Sequence, residues 1–201
     1  NMSQNVNGVS MLHGKVSQEI FAPMYPGYLP EELYISYVTN GVHYPTWAAK
    51  EWKAIHARVF GEQFKTYHYD KSCFDGIYNI SDEEVWATRK ILKKDLIDTV
   101  KARLSDPDLS SHYSPSQVVE IKETLRDDVL TIGFARRFAT YKRATLLFRD
   151  LDRLDSIVND PEHPVQFLFA GKAHPADTAG QDLIKQIIEI SKQPRFIGKI
   201  V

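Results

Sequence analysis

The chain has 201 residues, 43% hydrophobic and 11% aromatic, enough to bury a full core in one large domain or two small ones. Twenty-five Lys and Arg against 26 Asp and Glu leave a net charge of -1, which excludes a global field drawing the protein onto nucleic acid or an acidic membrane. No apolar run approaches the roughly 20 residues a membrane span needs, "NMSQNVNGVS" lacks the signal-peptide pattern, and the single cysteine, Cys73, cannot form an intramolecular disulfide, so the expected location is the cytoplasm.

Val9, Leu12, Val16 and Ile20 recur at helical spacing, and the prolines and glycine of "APMYPGYLP" end that helix after Phe21. "LYISYVT" reads as a short strand running into "NGVHYPTW". There Asn40-Gly41 marks a turn, and Pro45 suits the first turn of a helix through "TWAAKEWKAIHARVF". Ser81 and Glu84 have capping-box spacing before the long helical stretch "EEVWATRKILKKDLIDTVKARL". After the polar "SDPDLSSHYSPSQ", where composition alone sets a boundary, Ser114-Pro115 with Gln117 opens a helix through Leu125.

The pattern then changes to strand "DVLTIGFA", helix "KRATLLFRDLDRLDSIV", strand "VQFLFAG", helix "DLIKQIIEI" capped by Asp177, and strand "RFIGKIV". Continuous apolar strands alternating with helices predict an α/β domain, the start of a doubly wound parallel sheet covered on both faces. The last strand ends the chain without a tail, which predicts that these residues are an internal fragment of a longer protein.

Four cations, Arg136, Arg137, Lys142 and Arg143, crowd "GFARRFATYKRA" just after the first of these strands. In an open parallel sheet, ligands bind beyond the carboxyl ends of the strands, where the next helix presents unpaired N–H groups and its positive dipole end. Cations there repel one another and the dipole, and a bound dianion reverses that cost. Arg137 and Lys142, five apart, can aim at one phosphate, the arginine as a planar fork and the lysine as a point charge. A solvated, snorkelling basic loop is the structural alternative. Lys172 in "FLFAGKAHPADTAG" follows the next strand and either adds charge to the same crevice or is a strand-end lysine in water.

Two Asn-Gly pairs, in "VNGVSMLHG" and "VTNGVHYPTW", read as turns that can bring backbone N–H groups to a sugar or phosphate. Asn7 and Gly8 are the substrate-contact candidates of the first, and Tyr44 and Trp47 offer a ring face beside the second. His13 and His43 read as structural histidines, and no metal-ligand spacing occurs.

Taken in order, "VNGVSMLHGKVSQEIF", "TNGVHYPTW", "GFARRFATYKRA" and "FLFAGKAHP" resemble the α-glucan phosphorylase family (glycogen, starch and maltodextrin phosphorylases), in its short bacterial and archaeal branch, over nearly the whole chain. The resemblance implies a GT-B architecture of two Rossmann-like domains. Residues 1–50 would end the N-terminal domain and 51–201 begin the C-terminal, cofactor-binding one, helical over 51–126 and parallel β/α over 127–201. It implies phosphorolysis of terminal bonds of an α-1,4-glucan by inorganic phosphate, giving glucose 1-phosphate, with pyridoxal 5'-phosphate as cofactor. A homo-oligomeric parent is compatible with it, and neither nucleic acid nor membrane is an expected partner.

Residue by residue, it puts Arg137 and Lys142 on the substrate phosphate, Arg136 at the cofactor phosphate and Tyr141 at the glucosyl unit. Gln4 and Ala139 stand where relatives carry histidines. The Schiff-base lysine belongs to a later glycine-rich motif with no equivalent in these residues, so the 201 residues alone are expected neither to bind the cofactor covalently nor to turn over glucan. Two other readings stay open at this point: a nucleotide-sugar-dependent glucan synthase of the same fold, and a non-catalytic glucan-binding module.

Overall fold

The computed structural model describes residues 3, 5–67 and 71–201, with the backbone alone at Asp108 and Leu109. The chain divides into two compact units, Asn1–Asn79 and Ile80–Val201.

In the first unit, strand β1 (Val6–Gly8), helix α1 (Met11–Phe21) and strand β2 (Ile35–Tyr37) form a small crossover. The strands pair in parallel, Val6 opposite Ile35 and Gly8 opposite Tyr37. Ser10 caps α1 by accepting the His13 N–H at 3.1 Å, and His13 Nδ1 accepts the Val9 N–H at 3.0 Å. "VNG" is therefore a strand and not the expected turn. Its glycine serves close packing: a Cβ on Gly8 would lie 2.5 Å from the Gly14 nitrogen in the first turn of α1. Asn40-Gly41 does not turn either, because residues 38–43 are irregular and the N–H groups of Val38 and Asn40 donate to the carbonyls of Gly8 and Val9.

The helix expected from Pro45 onward is two, α2 (Tyr44–Trp47) and α3 (Lys50–Phe60), because Ala48 and Ala49 are extended, at ψ 131° and 154°. Helix α4 (Phe64–Tyr67) follows. Their aromatic faces meet: the His56 ring lies 5.2 Å from that of Phe60, Phe60 lies 4.7 Å from Phe64, and the Tyr44 hydroxyl bonds His56 Nδ1 at 3.0 Å.

The second unit opens with α5 (Asp82–Arg103), α6 (Pro107–Ser110) and α7 (Pro115–Thr124). Ser81 caps α5, and Ser114 with Gln117 forms a reciprocal capping box on α7. Strand β3 (Leu130–Ala135), helix α8 (Leu151–Val158), strand β4 (Val165–Ala170) and helix α9 (Thr178–Ser191) complete it. The strands run parallel, from Leu130 opposite Val165 to Ala135 opposite Ala170. Ile97, Leu104, Ile121, Leu125 and Ile197 form one buried cluster, against which Leu168 packs. Phe148, Leu154, Val158, Phe167, Ile187, Ile190, Phe196 and Ile200 form another, so alternate residues of β4 serve two separate cores.

Two expectations are corrected here, and a third is met in part. The helix read from "KRATLLFRDLDRLDSIV" is broken into two 3-10 stretches, Thr140–Lys142 and Leu146–Arg149, before α8 starts at its cap Asp150. The cations therefore do not sit at the dipole end of an α-helix. "RFIGKIV" is not a strand: Gly198 at φ 70° turns it, only Ile200 bridges Phe167, and its apolar side chains fill the cores instead. With two paired strands and this bridge, the second unit has one small parallel sheet in a mixed helix and strand arrangement, which does not by itself amount to a doubly wound sheet. No helix among the described residues is long and apolar enough to cross a membrane.

Candidate functional site

Because β3 and β4 are parallel and end level, at Ala135 and Ala170, the cationic segment and "GKAHP" leave the sheet side by side. The Phe138 N–H donates to the Lys172 carbonyl at 3.0 Å, and the Phe138 ring, 3% exposed, is buried among the residues under α8 and α9. Two glycines permit the approach. A Cβ on Gly171 would fall 2.1 Å from the Arg136 carbonyl oxygen, and one on Gly180, in the first turn of α9, 2.5 Å from that of Phe138. Asp177 caps α9 through the Gly180 N–H at 2.9 Å, and His174 Nδ1 accepts the Ala176 N–H, a structural role. A buried core residue thus anchors the loop, and its neighbours Arg136 and Arg137 are exposed.

Beyond it, the Lys142 N–H closes the 3-10 turn on the Ala139 carbonyl at 2.9 Å, and Arg143 ends it in the left-handed region at φ 56°, ψ 38°. It is the only non-glycine residue with positive φ among the described ones, at a cost of about 1–2 kcal/mol. The Lys142 ammonium rests 4.5 Å above the ring of Tyr141, which is itself 73% exposed. A groove of about 500 Å³ next to this turn is lined by Thr140, Arg143, Leu146, Phe148, Arg149 and Gln186.

Cations without a carboxylate partner are common among the described residues, Lys15, Lys53, Arg89, Lys90, Lys93 and Arg153 among them; what distinguishes this segment is how closely they crowd on two adjoining loops. Lys65, Lys94, Arg126, Lys185, Lys192 and Arg195 each have a carboxylate at ion-pair distance. Among the described residues, Arg136, Arg137, Lys142, Arg143 and Lys172 have none. Five such cations on two adjoining loops repel one another, an arrangement that a multivalent anion would relieve. No group of three or more His, Cys, Asp or Glu among the described residues could hold a metal ion.

The candidates of the first unit are arranged differently. Asn7 and Gly8 lie in β1, where the Asn7 amide donates to the Gly8 carbonyl at 3.1 Å. Trp47 is 76% exposed, His43 Nδ1 bonds the Thr46 hydroxyl at 2.7 Å, and Tyr44 is committed to His56. Gln4 lies outside the described residues. Ala139, half-buried, starts the 3-10 turn. Missed from sequence were the anchor Phe138 and the two contact glycines; a glycine directly after an apolar strand and another in the first turn of the next helix were the available signals.

A cationic loop on a parallel sheet fits several families of phosphate-binding proteins. The family model described as carbohydrate phosphorylase matches residues 1–194. The chain belongs to the carbohydrate phosphorylase family. Among curated carbohydrate phosphorylases, it is 41% identical to the glycogen phosphorylase of Aquifex aeolicus over 99% of its own length and 28% of that relative's. It is 38% identical to the maltodextrin phosphorylase of Thermococcus litoralis and 37% to the glycogen phosphorylase of Mycobacterium tuberculosis, in each case over 99% of its own length and 23% of the relative's. The chain thus spans about a quarter of the length of the curated phosphorylases it matches.

Proposed function

We propose that this chain carries the phosphate grip of an α-glucan phosphorylase, which cleaves terminal α-1,4-glucosidic bonds with inorganic phosphate and releases glucose 1-phosphate. The observation that carries the reading is the set of cations without carboxylate partners on the loops after β3 and β4. Kinship to proteins named glycogen and maltodextrin phosphorylase supplies the substrate class.

In this reading Arg137 holds the substrate phosphate through paired N–H···O bonds, and Lys142 leaves the Tyr141 ring to add a point charge. Tyr141, with its exposed ring, lies against the glucosyl unit, and Asn7 and Gly8 contribute substrate contacts from their own unit. Arg136 faces the phosphate of pyridoxal 5'-phosphate, and the neighbouring uncompensated cations suit a second dianion there. When bound, that cofactor supplies a phosphate group able to exchange a proton with the substrate phosphate. The cations of this chain lower the repulsion between the two phosphates, which is electrostatic stabilisation by groups already in position. Residues 1–50 and 51–201 belong on this reading to the two Rossmann-like domains of a GT-B enzyme working in the cytoplasm.

The test is phosphorolysis of maltoheptaose by the full-length protein, following glucose 1-phosphate, wild type beside Arg137→Ala. Losing one strong phosphate contact should lower kcat/KM by about 10²–10³. Wild type that makes no glucose 1-phosphate, but transfers glucose from a nucleotide sugar, would sink the reading in favour of a diphosphate-gripping synthase.

A further inference from the structure

The reading above counts Lys172 among the crowded cations but assigns it no ligand of its own. The registered pairing of β3 and β4 ends at Ala135 and Ala170, and just beyond it the bond from the Phe138 N–H to the Lys172 carbonyl ties the two loops together. Arg137, directly before the donor of that bond, and Lys172, which supplies its acceptor, therefore stand on neighbouring backbone. The close approach of Gly171 to the Arg136 carbonyl holds these loops together by packing as well as by the hydrogen bond. Lys172 is exposed and, like Arg137, has no carboxylate partner among the described residues.

We propose that Lys172 binds the substrate phosphate beside Arg137, a third cation on that dianion. The proposal rests on the phosphorolysis reading. It is tested with the full-length enzyme by measuring KM separately for phosphate and for maltoheptaose. Lys172→Gln should raise KM for phosphate by about ten- to a hundredfold, the worth of one charge-assisted hydrogen bond, and leave KM for maltoheptaose unchanged. Lys172→Arg should restore most of the loss, and the rise in Tm that inorganic phosphate gives the wild type should shrink in Lys172→Gln. An active wild type with an unaltered phosphate KM in Lys172→Gln overturns this assignment and leaves the phosphorolysis reading standing. The same holds if Lys172→Gln keeps its phosphate KM and instead loses bound pyridoxal 5'-phosphate per chain, which would give the lysine to the cofactor. A wild type without phosphorolysis removes both.

Discussion

Gly171→Ala tests how the cationic loop is held. The added methyl would lie 2.1 Å from the Arg136 carbonyl oxygen and 3.1 Å from a ring carbon of Phe138. Carbon and oxygen come into ordinary contact at about 3.3 Å, so the two loops must part by roughly 1 Å. Such a shift stretches the 3.0 Å bond from Phe138 to Lys172 beyond hydrogen-bonding range. Overpacking costs about 1–3 kcal/mol, and the lost bond adds about 0.5–1.5 kcal/mol. Urea unfolding of the full-length protein should therefore report a loss of about 2–4 kcal/mol. Function should suffer more sharply, because misplacing a binding group by about 1 Å can cost about 10²-fold. That loss should appear in KM for phosphate more than in KM for glucan. A variant with the wild-type urea midpoint and the wild-type phosphate KM would show that these loops are not packed backbone to backbone.

Two other perturbations probe the frame. Gln166 is 2% exposed; its amide donates to the Arg126 carbonyl at 2.7 Å and the Thr131 hydroxyl at 2.8 Å and accepts the Arg126 N–H at 3.2 Å. Gln166→Leu strands those groups and should cost about 2–4 kcal/mol in urea unfolding; a neutral result would mean that water replaces the amide. His56, among Tyr44, Trp52, Phe60 and Phe64, is held below the ordinary histidine value of 6.5 by burial. Between its folded pKa and about 6.5 the unfolded chain binds more protons than the folded one. Stability should therefore rise with pH through that window and level off above it, and His56→Phe should flatten the rise; an unchanged slope in the variant would assign it to another group.

The residues carrying local rules were legible. Ser81, Ser114 with Gln117, and Asp177 act as the caps their spacing announced, and the apolar runs at β3 and β4 are the parallel strands expected of them. What failed was set by contacts distant in sequence or by backbone states that a residue type does not betray. Asn7-Gly8 looked like a turn because Gly tolerates positive φ, yet Gly8 is needed for its missing Cβ under α1. The helix after the cations breaks at Arg143, and nothing in an arginine signals a left-handed backbone; Asp150 before Leu151 was a readable cap that the helical spacing obscured. The β-prone "RFIGKIV" coils because Pro194 and Gly198 flank side chains the cores require. At the site, the cations were visible as a cluster, but their lack of carboxylate partners was not, since that depends on what the fold leaves out of reach.

Strand β4 is bonded along both edges: it pairs with β3 on one side, and on the other the Phe167 and Phe169 N–H groups donate to the Lys199 and Val201 carbonyls, both at 2.7 Å. With apolar clusters on both its faces as well, its amides should exchange with solvent only when the whole unit opens. The cationic loop is joined to the segment after β4 by the backbone bond at Phe138 and by glycine contacts, and to the core by the Phe138 side chain, so apart from Phe138 the amides of residues 136–143 should exchange faster than those of the strand. The fold should therefore separate two exchange timescales within a few residues, a slow one in the strand and a faster one in the loop that follows the strand beside it.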